Sequence, residues 1–145
     1  MEIRHLTETF AVSPQIEPSD VAAIVEAGFK TVICNRPDAE VDQALSATAV
    51  REAVEAAGLT WAENAFSGNA MTLDHVQTQG RLTAESDGPV LAYCRSGTRS
   101  ATAWAYSQAG VMPTDDILAA TARGGYDFSG MGPQIDALAA HLKGQ

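Results

Sequence analysis

Basic side chains are scarce in this chain. Its 145 residues hold 9 Lys plus Arg against 18 Asp plus Glu, a formal net charge of −9. A protein of that sign lacks the basic face that polyanions need, so neither nucleic acid nor an anionic membrane is expected as a partner. Cysteine is scarcer still: Cys34 and Cys94 alone cannot make a disulfide framework. The three histidines, His5, His75 and His141, are scattered without paired ligand spacing, so no metal site and no cofactor is expected. No apolar run approaches the length that crosses a bilayer, and residues 1–5 show no basic segment leading into an apolar one, so the chain reads as cytoplasmic. No internal repeat or low-complexity segment is visible.

Hydrophobic residues make up 46% of the chain, enough for a globular core, and its length sets the expectation of one domain, residues 1–145. Strands and helices alternate. Residues 9–12 read as a short strand. A helix opened by Pro18 or Ser19, with Val21, Ile24 and Val25 on one face, stops at Gly28. Residues 29–34, apolar and β-branched, read as a buried strand broken by Asn35-Arg36-Pro37-Asp38. A helix over 41–58 and a strand over 59–64 follow, then a loop over 65–71. Thr72 caps a helix running to about Glu85, and Ser86-Asp87-Gly88-Pro89 is a turn. Residues 90–93 form the next strand and about 100–109 a helix. Two further helices follow Thr114 and Pro133. The alternation predicts an α/β fold: a mainly parallel sheet of four to five strands flanked by helices, with ligands at the carboxyl ends of the strands.

One such strand end is chemically dense. Tyr93-Cys94-Arg95-Ser96-Gly97-Thr98-Arg99-Ser100 joins a strand to a helix and holds two of the nine basic residues. The free N–H groups and positive dipole end of a helix favour a thiolate over a thiol. Gly97 lets the turn close and aims successive N–H groups inward. Arg99 offers a planar fork to an oxyanion. Arg95 draws anions to the rim, Ser96 belongs to the turn, and Thr98 or Ser100 can bond the thiolate or cap the helix. Residues 95–100 thus read as an anion-binding loop around a nucleophilic Cys94. A buried strand-end cysteine beside ordinary turn residues is the rival reading, and it leaves the two arginines unexplained.

The loop Cys94-Arg95-Ser96-Gly97-Thr98-Arg99-Ser100 resembles the active-site loop of cysteine phosphatases and of rhodanese sulfurtransferases. The wider chain resembles the bacterial phosphatase-like domain of beta-lactamase-hydrolase-like proteins, within the dual-specificity phosphatase fold. The matching segments are Val12-Ser13-Pro14-Gln15, Gly28-Phe29-Lys30-Thr31-Val32-Ile33, Asn35-Arg36-Pro37-Asp38-Ala39-Glu40, the 93–100 loop and Gly124-Gly125-Tyr126-Asp127. The resemblance implies catalysis by Cys94 and Arg99. Two departures bear on the reaction. Tyrosine and dual-specificity phosphatases set five residues between the cysteine and the arginine and usually a histidine before the cysteine. Here four residues intervene and Tyr93 precedes, which is the rhodanese length. Related phosphatases also often carry an acidic proton donor on the loop after the third strand, and residues 65–71 hold no carboxylate. Asp74 is the nearest candidate general acid, with an ordinary first-turn helix carboxylate as its other reading; Glu63 and Asp38 are further candidates. In some similar phosphatases a cysteine in the region of Cys34 forms a disulfide with the nucleophile, so Cys34 is read either as a redox partner of Cys94 or as a core residue.

The expected function is a sulfurtransferase that carries sulfur as a Cys94 persulfide, taking it from a small anionic donor and passing it to a thiol acceptor. Loop length favours this over a phosphatase working through phosphocysteine. A non-catalytic module that binds an anion or a protein is the third reading.

Overall fold

A computed structural model describes residues 1–143. Its single α/β domain is organised by a five-stranded sheet in the order β1-β2-β5-β3-β4, formed by β1 (Arg4–His5), β2 (Phe10–Ser13), β3 (Thr31–Cys34), β4 (Thr60–Glu63) and β5 (Val90–Tyr93). Only β1 runs antiparallel to its neighbour, β2; the other pairings are parallel. Six helices follow the strands: α1 (Val21–Glu26), α2 (Ala47–Ala56), α3 (Leu73–Ala84), α4 (Thr98–Ser107), α5 (Thr114–Arg123) and α6 (Gly132–Lys143).

The strands β2, β3 and β5 are buried along their whole length, which is why they read as apolar runs. Their two-residue period sorts the side chains into two cores. Phe10, Val12, Ile33, Val90 and Ala92 pack with Trp104, Ile117 and Ile135 from α4, α5 and α6. Ala11, Val32, Cys34, Leu91 and Tyr93 pack on the other face with Val21 and Ile24 of α1 and Val50 and Val54 of α2. The central strand is β5, so the segment that follows it emerges from the middle of the sheet, between the ends of β2 and β3.

Three elements depart from the sequence expectation. Strand β1 has two residues, too few to show a period. The helix expected over 41–58 starts only at Ala47, because Ser46 caps it by accepting from the Ala49 N–H at 3.2 Å and the Asp38 carboxylate accepts from the Ala47 N–H at 2.7 Å. Residues before it form two 3-10 turns, Asp38–Glu40 and Gln43–Leu45. Helix α4 starts at Thr98, two residues ahead of expectation, directly after Gly97 at φ +87°. Among the described residues no helix is long and apolar enough to cross a membrane.

Candidate active site

Cys94 follows β5 and is buried, with its sulfur turned into the loop: the Gly97 N–H donates to Sγ at 3.1 Å. That bond requires the chain to double back within three residues, and the left-handed conformation of Gly97 allows it. Close approach imposes a second demand on Gly97. A Cβ there would stand 2.2 Å from the Tyr126 hydroxyl, which donates to the Ser96 carbonyl at 3.0 Å and braces the loop from outside. The loop is further tied to β2, whose Ser13 carbonyl accepts from the Cys94 N–H and whose following Gln15 N–H donates to the Arg95 carbonyl, both at 3.4 Å.

The hydroxyls expected to serve the sulfur have other partners. Thr98 pairs with Ser96 at 3.0 Å between their oxygens. Ser100 is buried and donates to the Asn35 side-chain oxygen at 2.8 Å. That contact opens a buried polar network. The Asn35 amide donates to the Asn64 carbonyl and to Gln79, Gln79 donates back to Asn35, and Asn64 donates to Gln79 and to the His75 carbonyl, all at 2.9–3.0 Å. The network locks the ends of β3 and β4, helix α3 and the start of α4 into one block beneath the loop.

A cleft of about 680 Å³ opens beside the loop, lined by Arg36, Glu40, Gly68, Arg95, Ser96 and Arg99 among others. Three of the chain's nine basic residues therefore meet at one opening of a strongly acidic protein. Arg99 Nη2 donates to Glu40 Oε1 at 2.7 Å, and Nη1 donates to Glu40 Oε2 and to the Phe66 carbonyl, each at 3.0 Å. Arg36 holds the same glutamate through Nε to Oε1 at 3.2 Å and Nη2 to its carbonyl at 3.0 Å, and Arg36 Nη1 donates to Gln15 at 3.1 Å. Hydrogen bonding from Arg99 first, with Arg36 adding to it, holds the Glu40 carboxyl below the usual glutamate range, so Glu40 is a carboxylate and no proton donor at neutral pH. Arg95 is exposed and, among the described residues, stands outside the ion pairs that hold Arg36 and Arg99 to Glu40.

The candidate acids are not brought to the cleft. Asp74 is exposed in the first turn of α3. Asp38 caps α2 through Ala47, and Glu63 is exposed at the end of β4 on the sheet edge. Cys34 pairs in register with Tyr93 and shares its core, donating to the Arg36 carbonyl at 3.3 Å. Cys34 and Cys94 are both buried free thiols, and burial pushes the Cys34 thiol up. Sequence reasoning gave no role to Glu40, Tyr126 or Asn35, although all three lie in segments that carry the family resemblance. The four-residue spacing of Arg36 and Glu40 was a further signal for the first.

A family model described as the phosphatase-like domain of beta-lactamase hydrolase-like proteins matches residues 2–111. A beta-lactamase hydrolase-like protein of Xylella fastidiosa is 30% identical over 130 residues, which cover 88% of this chain and 30% of the relative. The chain thus spans about a third of that curated relative's length or less. A solved structure from Neisseria meningitidis, described as a candidate phosphatase, is 31% identical with a TM-score of 0.81, covering 95% of this chain and 99% of that one. PTPMT1, solved in complex with PI(5)P, has a TM-score of 0.76 at 13% identity, covering 98% of this chain and 97% of that one, and shows likeness of fold alone.

Proposed function

The chain belongs to the family of phosphatase-like domains of beta-lactamase hydrolase-like proteins, and from that premise we propose that it is a cysteine-dependent phosphatase acting on small anionic phosphate esters or anhydrides. The Gly97 N–H bonded to the Cys94 sulfur, beside the Arg99 fork, carries this reading. The sulfur attacks phosphorus, the bond to the leaving oxygen breaks with its electron pair on that oxygen, and phosphocysteine forms. Water then attacks phosphorus, releasing inorganic phosphate and regenerating the thiolate. The loop N–H groups and Arg99 stabilise charge on the equatorial oxygens.

Among the described residues lining the cleft none offers a carboxylic acid to protonate the leaving oxygen, because Glu40 is ionised and Asp74 is not part of the lining. The reading therefore favours leaving groups that depart as stable anions: phenols, carboxylates and phosphates. Rates along a series of aryl phosphates should fall steeply as the leaving phenol becomes more basic. A flat series would mean that a proton donor operates.

Sulfur transfer is the second reading, favoured by the four residues between Cys94 and Arg99 and by the same missing acid. In it Cys94 takes the outer sulfur of a thiosulfate-like donor, sulfite leaves with the bonding pair, and an acceptor thiol removes sulfur from the persulfide. Aryl phosphate hydrolysis and thiosulfate-to-cyanide transfer, assayed on one preparation and on Cys94→Ser, decide between them. Activity in neither assay would favour an anion-binding module.

A further inference from the structure

Among the described residues Glu40 is the one carboxylate lining the cleft, and it engages the arginine that the chemistry needs. A guanidinium has five N–H donors. On Arg99, Nη1 donates to Glu40 and to the Phe66 carbonyl, and Nη2 donates to Glu40. Two donors remain, Nε–H and the second Nη2–H. They lie side by side on one edge of the plane, spaced to meet two oxygens of an anion. Arg99 stands in the first turn of α4, on the loop that closes around the Cys94 sulfur through the Gly97 N–H, so this edge is the part left free for an anion held there.

A glutamate that merely blocked the site would sit between the arginine and the sulfur. Glu40 instead grips the far end of the fork. It is itself anchored twice by Arg36, which is anchored in turn by Gln15 after β2. The pairs are shielded enough for their geometry to matter, since the side chains of Arg36 and Arg99 are each 14% exposed. The chain of contacts runs from the loop after β2 through the loop after β3 to the first turn of α4. It joins three segments that share no backbone pairing at this point.

We infer that Glu40 is a positioning residue, which holds the Arg99 guanidinium with its free Nε and Nη2 edge turned to the substrate oxyanion at Cys94. The inference rests on the reading of Cys94 as a nucleophile toward anions, and it holds for phosphoryl or sulfur transfer alike. Three arginines and one carboxylate leave the cleft with two net positive charges, matched to a dianion rather than a monoanion.

The test compares alkylation of Cys94 by iodoacetate, an anion, with alkylation by neutral iodoacetamide. Both reagents need the same access and the same sulfur, so the ratio of their rates reports the aimed cation and cancels general loosening of the fold. In Glu40→Gln, which keeps the size and loses the charge, the ratio falls by about fivefold, or about 1 kcal/mol. Arg99→Ala lowers it at least as far, and the double variant falls no further than Arg99→Ala. Glu40→Asp keeps the charge and shortens the reach to Arg99, and gives a smaller fall in the same direction, which carries the test should Glu40→Gln fail to fold. An unchanged or higher ratio in Glu40→Gln overturns the inference, because the glutamate would then be idle or obstructive. So does an unchanged ratio in Arg99→Ala. Absence of aryl phosphate hydrolysis alongside the expected ratios would remove the phosphatase reading and leave Glu40's role standing.

Discussion

At the scale of single residues, Gly97 is the most constrained position of the loop. Its φ of +87° is open to glycine and strained for any residue with a Cβ, and that Cβ would meet the Tyr126 hydroxyl at 2.2 Å. Gly97→Ala is expected to lose about 1–3 kcal/mol of stability from the backbone term alone, read as a lower midpoint in urea. Turnover should fall further than stability, because the N–H that reaches Cys94 Sγ belongs to the same residue. Unchanged turnover with a normal midpoint would mean that the loop has another conformation in solution. Tyr93, next to the sulfur, is buried on the face it shares with Cys34, and burial opposes ionisation of its hydroxyl. It fills core space beside Trp61 rather than serving the cleft.

At the scale of elements, the site depends on how strand ends are tied together. Parallel strands β2, β5 and β3 deliver three loops to one edge, but the ladder ends at Ser13, Tyr93 and Cys34, with only isolated backbone bonds such as Gln15 N–H to the Arg95 carbonyl past it. Beyond those points the Asn35, Gln79, Asn64 and Ser100 side chains take over. Every member is buried, and a buried amide without partners is costly. Asn35→Ala removes the node that serves both Ser100 and Gln79. We expect a loss of about 1–3 kcal/mol in urea unfolding, with a larger fractional loss of turnover as the start of α4 loosens. Stability within a few tenths of a kcal/mol of the parent would show that water replaces the amide. The late start of α2 belongs to the same scale. By stopping the helix at Ser46, the caps leave residues 38–45 as short turns, and those turns carry Glu40 to Arg99.

At the scale of the whole molecule, an acidic protein keeps one basic cleft, and its ion pairs link folding to pH. The Glu40 carboxyl is held low in the folded chain by Arg99 and Arg36. A depressed folded value stabilises the fold above the ordinary glutamate range, and the contribution is lost as pH falls through the lower folded value. The stability difference between the parent and Glu40→Gln should therefore be full near neutrality and shrink as pH falls below the ordinary glutamate range. Urea unfolding across that range measures it. A constant difference would assign the effect of Glu40 to packing instead of charge.

The sequence alone determined the alternation of strands and helices, the parallel sheet and the reactive loop. These are local properties: apolar β-branched runs bounded by glycine and proline, and a thiol, a glycine and two arginines packed between a strand and a helix. It also held the four-residue spacing and the missing acid on residues 65–71, since both are matters of counting. It did not reveal β1, whose two residues carry no period, or the true start of α2, where Asp38 reaches nine residues along the chain to cap Ala47. Only the tertiary structure decided which side chains surround the sulfur. Glu40 lies 59 residues from Arg99, Asn35 65 residues from Ser100 and Tyr126 30 residues from Ser96. Such contacts exist because the sheet order places β5 between β2 and β3, and strand order follows from how the helices cover both faces, which no short stretch of sequence encodes. The same register set Cys34 beside Tyr93, one residue short of Cys94 along the neighbouring strand.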